Sequence, residues 1–113
     1  VTEFKALTGS DLNVYHDEHY VMVETTMNDR RYVFSFAQKG QAITMHFAAE
    51  KMLGVKNACD EFCQWAFEVM PWCRMIFAVI DQGRFAIIQF VKKIQFSYLT
   101  ENNDHIVYYR TRG

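Results

Sequence analysis

Lys51-Met52-Leu53-Gly54-Val55-Lys56 sets two cations around one glycine, at the point where strand-like alternation gives way to a helical period. Such a junction can cradle a phosphate. A glycine lets the backbone approach an anion closely, and the first amides of a helix lack partners. Lys51, Leu53, Gly54, Val55 and Lys56 are the candidate contacts. The same residues also read as an ordinary helix start flanked by solvated lysines. A cation in a first helical turn opposes the macrodipole by roughly 0.3 kcal/mol or more, which favours an anionic partner there. Just upstream, His46 and Glu50 end the preceding apolar stretch, and either could accept a proton. The plainer readings are a structural strand histidine and a solvated loop carboxylate. Glu24 has the same alternative.

Three cysteines complete the reactive inventory. Cys59 and Cys63 are four residues apart and share one helix face, and Cys73 lies beyond it. An odd count argues against a disulfide framework. A metal would need two further ligands, with His46 and His105 as the imaginable ones, and no compact ligand spacing is present. Buried reduced thiols and no metal site are expected.

The elements that must position these groups follow from the pattern. Residues 1–19 carry little periodicity, with room for one helical turn capped by Ser10 or Asp11. From Tyr20 to Ala49, three β-branched and aromatic runs separated by "NDRR" and "QKGQ" predict an antiparallel meander. Val55, Ala58, Phe62, Trp65, Ala66 and Val69 recur at helical steps, and Pro71 stops that helix. "CRMIFAVI" reads as a central strand buried on both faces. Ile87, Ile88, Val91 and Ile94 mark a second helix, and "FSYLT" with "HIVYYRT" a closing hairpin. The order is β-β-β-α-β-α-β-β. A strand, a helix and a buried strand favour a right-handed parallel crossover.

The expected fold is therefore α+β (mixed α/β). A mostly antiparallel sheet of five or six strands contains one parallel pair, residues 42–48 and 74–80. Two main helices, near 55–69 and 84–94, cover it. Trp65, Trp72 and the phenylalanines are expected in the core. With 113 residues, half of them hydrophobic, the chain makes one domain spanning residues 1–113. A net charge of −1 argues against general nucleic-acid binding. The longest strongly apolar run, Met75 to Ile80, is too short to cross a bilayer, and no secretory signal is visible.

This order, and the texture "AITMHFAAEK…FCQWAFE…PWCRMIFAVI…FVKKIQF", resemble the GNAT superfamily of acetyl-CoA-dependent N-acetyltransferases, and in particular small, diverged GNAT-like proteins of bacteriophages. The resemblance covers roughly the last three quarters of the chain. It implies a GNAT-like domain with a shortened N-terminal region. Acetyl-CoA would lie with its pyrophosphate on the loop that the family writes Arg/Gln-x-x-Gly-x-Gly/Ala. Lys51 and Gly54 match that loop, and Lys56 stands where the family has a small residue. In the second signature Phe96 and Lys93 match, while Arg84, Ile87, Val91 and Gln95 replace the Asn, Ala, Tyr and Gly. The resemblance implies acetyl transfer to an amine, with Glu50 or His46 as base. Val91 removes the usual acid, which Tyr98, Tyr108 or Tyr109 could replace if the fold brings one close.

The alternative is a non-catalytic phage protein of this fold that binds or inhibits a host protein or serves in the virion. Tyr108, Tyr109, Arg110 and Arg112 would form its exposed surface, and an edge strand there could pair with a second copy. Either reading places the protein in the cytoplasm of a bacterial host.

Overall fold

A computed structural model describes residues 2–113. Seven strands form one sheet: β1 (Lys5–Leu7), β2 (Val21–Met27), β3 (Arg30–Lys39), β4 (Ala42–Ala49), β5 (Met75–Asp81), β6 (Ser97–Glu101) and β7 (His105–Thr111). Helix α1 (Val55–Val69) joins β4 to β5, and α2 (Phe85–Lys93) follows β5. The strand order is β1-β2-β3-β4-β5-β7-β6, antiparallel except for β4 and β5. The meander, the parallel crossover and both helices stand where periodicity predicts them. The sheet has one or two strands more than expected. The addition is β1, three residues paired with Met22–Glu24, too short to carry a readable alternation.

Both helices pack on one face of the sheet. Phe34 of β3 and Phe47 of β4 are register partners and point the same way. Phe62 of α1 stacks on Phe34 with centroids 4.5 Å apart, and Phe90 of α2 meets Phe47 edge-on at 6.0 Å. Val55, Ala58, Cys59, Phe62, Cys63 and Ala66 line the buried side of α1. Burying a side chain the size of Phe62 contributes roughly 1.5–3 kcal/mol. All three cysteines are buried free thiols. Burial pushes the Cys63 thiol up to about 12 and raises Cys59 and Cys73 as well, so all stay protonated. Trp72 departs from expectation. It is 40% exposed, because Pro71 turns the chain out of α1 before the indole can reach the core.

Among the described residues, the opposite face carries no helix. Residues 8–20 cross it as a strap. Ser35 Oγ donates to the Tyr15 carbonyl, and the Arg31 guanidinium grips both oxygens of Asp11 at 3.0 and 2.9 Å. The helical turn expected at Ser10 or Asp11 does not form. Ser10 Oγ accepts the Leu12 amide at 3.0 Å in a side-chain turn, and Asp11 is drawn to Arg31.

The closing hairpin corrects a second expectation. β7 lies between β5 and β6, so the sheet edge is β6 and not the Tyr108–Arg112 segment. Tyr108 is buried beneath Tyr98. Arg110 is buried too, its charge met by Asp60 of α1 at 2.7 Å. Arg112 donates to the carbonyls of Met70 and Cys73 and so caps the end of α1. Among the described residues, no helix is long and apolar enough to cross a membrane.

Candidate active site

The parallel ladder stops early. β4 and β5 pair from Ala42↔Met75 to Met45↔Ala78, yet β4 runs on to Ala49 and β5 to Asp81. The strands splay beyond that point and open a cleft of about 360 Å³. Its helix-side wall is apolar and includes Phe47, Ile87 and Val91. Its strap-side wall carries Tyr15, His46, Asp81 and His105, with Arg84 at the start of α2. A larger open groove of about 910 Å³ between β2 and α1 does not hold His46, and residues 50–56 line neither space.

His46 is half-buried in the cleft. Alternation on β4 turns it away from Phe47 and towards the strap, opposite its register partner Ser35. Tyr20 Oη lies 3.4 Å from His46 Nε2, and the Tyr15 ring sits 4.9 Å from the imidazole. Burial lowers its pKa from the ordinary value of 6.5, an effect that nearby His105 reinforces and Asp81 opposes. His46 is therefore neutral at pH 7 and able to accept a proton. Asp81 and His105 are register partners across β5 and β7, and Asp81 Oδ1 lies 3.3 Å from His105 Nε2.

Glu50 is placed elsewhere. Its Oε1 accepts the Arg31 amide at 3.0 Å and lies 3.5 Å from Arg31 Nε. Glu24 is bound to the same guanidinium at 3.3 Å. Neither carboxylate lines the cleft, so the geometry brings His46 to it and leaves Glu50 in an ion-pair cluster.

The 50–56 junction sits at the end of the splayed strands. Lys51, Leu53 and Lys56 are exposed, and no side chain caps α1. Val55 contributes less than expected. Its side chain is in the core, and its amide is already bonded to the Met52 carbonyl at 3.1 Å. Gly54 has a reason of its own. It adopts φ +82°, and a Cβ there would meet Tyr32 Oη at 2.5 Å. That hydroxyl donates to the Leu53 carbonyl at 2.5 Å. The glycine is thus demanded by the chain's own packing, whatever binds above it.

Tyr98 and Tyr109 do not line the cleft, and Tyr108 is in the core. The tyrosines that reach His46 are Tyr15 and Tyr20, from a segment without periodic signal. Arg30, the first residue of β3, reaches the α1 N-terminus, with Nη1 3.8 Å from where a Gly54 Cβ would be.

Solved structures match this fold closely in shape and distantly in sequence. A Bacillus subtilis acetyltransferase in complex with CoA aligns with a TM-score of 0.75 at 11% identity, over 99% of both chains. The Campylobacter jejuni N-acetyltransferase PseH aligns at 0.74 and 13% identity, over 86% of this chain and 71% of that one. The fold is that of the GNAT acetyltransferases. A variant of the Vibrio cholerae spermidine N-acetyltransferase SpeG aligns at 0.69 and 7% identity, over 85% of this chain and 68% of that one. No family model and no curated protein sequence matches the chain. The GNAT likeness at these identities is one of fold.

Proposed function

We propose that the protein is a diverged N-acetyltransferase of phage type, transferring an acetyl group from acetyl-CoA to an amine. The observation that carries this reading is the splayed parallel pair with a neutral histidine inside it and an uncapped helix N-terminus at its end. The residues fit the cosubstrate. Lys51 and Lys56 would meet phosphate charge, and the free amides at the α1 start would meet phosphate oxygens. Bound acetyl-CoA supplies a thioester carbonyl open to attack by an amine. His46 accepts the proton that the attacking amine must lose. Tyr20 orients the imidazole from its Nε2 side, and the Tyr15 ring covers it from solvent. Val91, buried at the base of the cleft, offers no proton, so the sulfur leaves with a proton from imidazolium or water.

The test is calorimetry with CoA, followed by CoA-thiol release with amines present. The parent should give a clear heat that Lys51→Glu/Lys56→Glu abolishes. Replacing His46 by Gln should cost about 10²-fold or more in kcat without removing that heat. The parent rate should fall as pH drops below 6.5 through the lowered His46 value, because the protonated imidazole cannot act as base.

A second reading is supported by the β6 edge. All five of its residues are exposed, Tyr98 by 53% and Leu99 by 48%. Such a strand suits pairing with a host or virion protein, or with a second copy. With Val91 in place of an acid, a non-catalytic role takes first place if millimolar CoA gives no heat.

A further inference from the structure

The strap-side mouth of the cleft is unlike its helix-side wall. Among the described residues lining the cleft, Asp81 is the one carboxylate and Arg84 the one permanent cation. Asp81 is the last residue of β5, its side chain 71% exposed and engaged only from one side by His105. It lines the same cleft as His46. Arg84 stands three residues further on, at the N-cap of α2, and holds no ion pair among the described residues.

We infer that Asp81 selects the acceptor, holding the ammonium group of a small monoamine beside His46, while Arg84 excludes a second cationic centre. The inference rests on the acetyltransferase reading and deepens it. A primary amine is an ammonium ion at pH 7, and a carboxylate at the mouth attracts it and fixes its nitrogen near the imidazole. The ammonium gives one proton to His46. The freed nitrogen forms the C–N bond to the acetyl carbon as the C–S bond breaks and gives its second proton to water, and the sulfur departs as a thiolate that takes the first proton back from the imidazolium. A di- or polyamine brings a second charge to a mouth that already carries a guanidinium, and like charges there are unfavourable. Tyr15 and Asn13 of the strap, both uncharged, close the remaining side. The cleft should thus differ in preference from a spermidine site.

Butylamine and spermidine are the probes. Each is titrated into the CoA-loaded protein while the His46 ring resonance, assigned with the His46→Gln spectrum, is followed by NMR. KM is measured alongside. Butylamine should move the resonance saturably and at lower concentration than spermidine. Asp81→Asn, a near-isosteric change at an exposed position, should weaken butylamine by about fivefold in both Kd and KM, the equivalent of about 1 kcal/mol. Arg84→Gln should bring spermidine closer to butylamine. Unchanged butylamine constants in Asp81→Asn, or a parent that binds CoA yet takes spermidine first or neither amine, overturns the assignment. A parent that does not bind CoA instead removes the acetyltransferase reading, and the acceptor assignment with it.

Discussion

The two faces of the sheet are held by different physics. The helix face is a continuous apolar core in which Phe34, Phe62, Trp65 and Phe36 pack ring against ring. The strap face is joined by a handful of directional contacts: Ser35 to Tyr15, Arg31 to Asp11, Tyr20 to His46. Fold is stored on the first face and most of the candidate chemistry on the second. Apolar packing tolerates no missing volume but carries little specific information. Polar contacts contribute less stability and place individual atoms.

Three measurements sharpen that contrast. The largest effect is expected on the helix face. Phe62→Ala should cost about 3–5 kcal/mol of stability in denaturant unfolding, because the residue is fully buried and its neighbours cannot collapse into the space. A loss below about 1 kcal/mol would mean that α1 is not the keystone of the core.

The second probe sits in the loop before α1, against Tyr32 of β3. Gly54→Ala should cost about 2 kcal/mol or more, from the left-handed backbone and the clash with Tyr32. Combining it with Tyr32→Phe should recover the steric part and leave the backbone part. An additive double mutant would show that the hydroxyl is not what the new methyl meets.

The smallest effect should be on the strap. Arg31→Gln should barely move Tm but should speed hydrogen exchange over residues 11–20. The Arg31 guanidinium holds the Asp11 carboxyl below its ordinary value of 3.8. A carboxyl depressed in the folded state stabilises above its unfolded value and loses that contribution as pH falls through the folded one. Strap exchange should therefore accelerate in acid below pH 3.8, and Asp11→Asn should already exchange fast at neutral pH. Identical exchange in both proteins would break the idea that this pair fastens the strap.

What the sequence made legible follows the same division. The α1 period from Val55 to Ala66 and the β3 alternation of Tyr32, Phe34 and Phe36 gave the helix face, because burial writes a repeating pattern. The pattern also over-reached. Val69 fits the helical stripe yet is 50% exposed, as the last residue of α1. The strap was not legible. Tyr15 and Tyr20 act through contacts with β3 and β4 that lie more than fifteen residues away, and no local period records such a contact. His46 was visible as a strand-end histidine. Asp81 becomes its neighbour through the β4–β5 pair, and His105 through the β5–β7 register, which depends on β7 inserting inside β6. Glu50 looked equivalent to His46 by position and type. What separates them is Arg31, whose reach is a matter of three-dimensional placement.

Tyr32 has a consequence for affinity. Its hydroxyl ties the Leu53 carbonyl to β3, and the loop before α1 is thereby set at a fixed height above the sheet by residues of the core. The entropy of ordering that loop is lost once, during folding. An anion arriving at the α1 start meets a surface already in shape, and the entropic penalty that weakens binding to floppy loops does not recur. Positions 32 and 54 are thereby coupled: replacing the tyrosine would lift the clash at position 54 and leave only its left-handed backbone demand, while keeping the tyrosine keeps both.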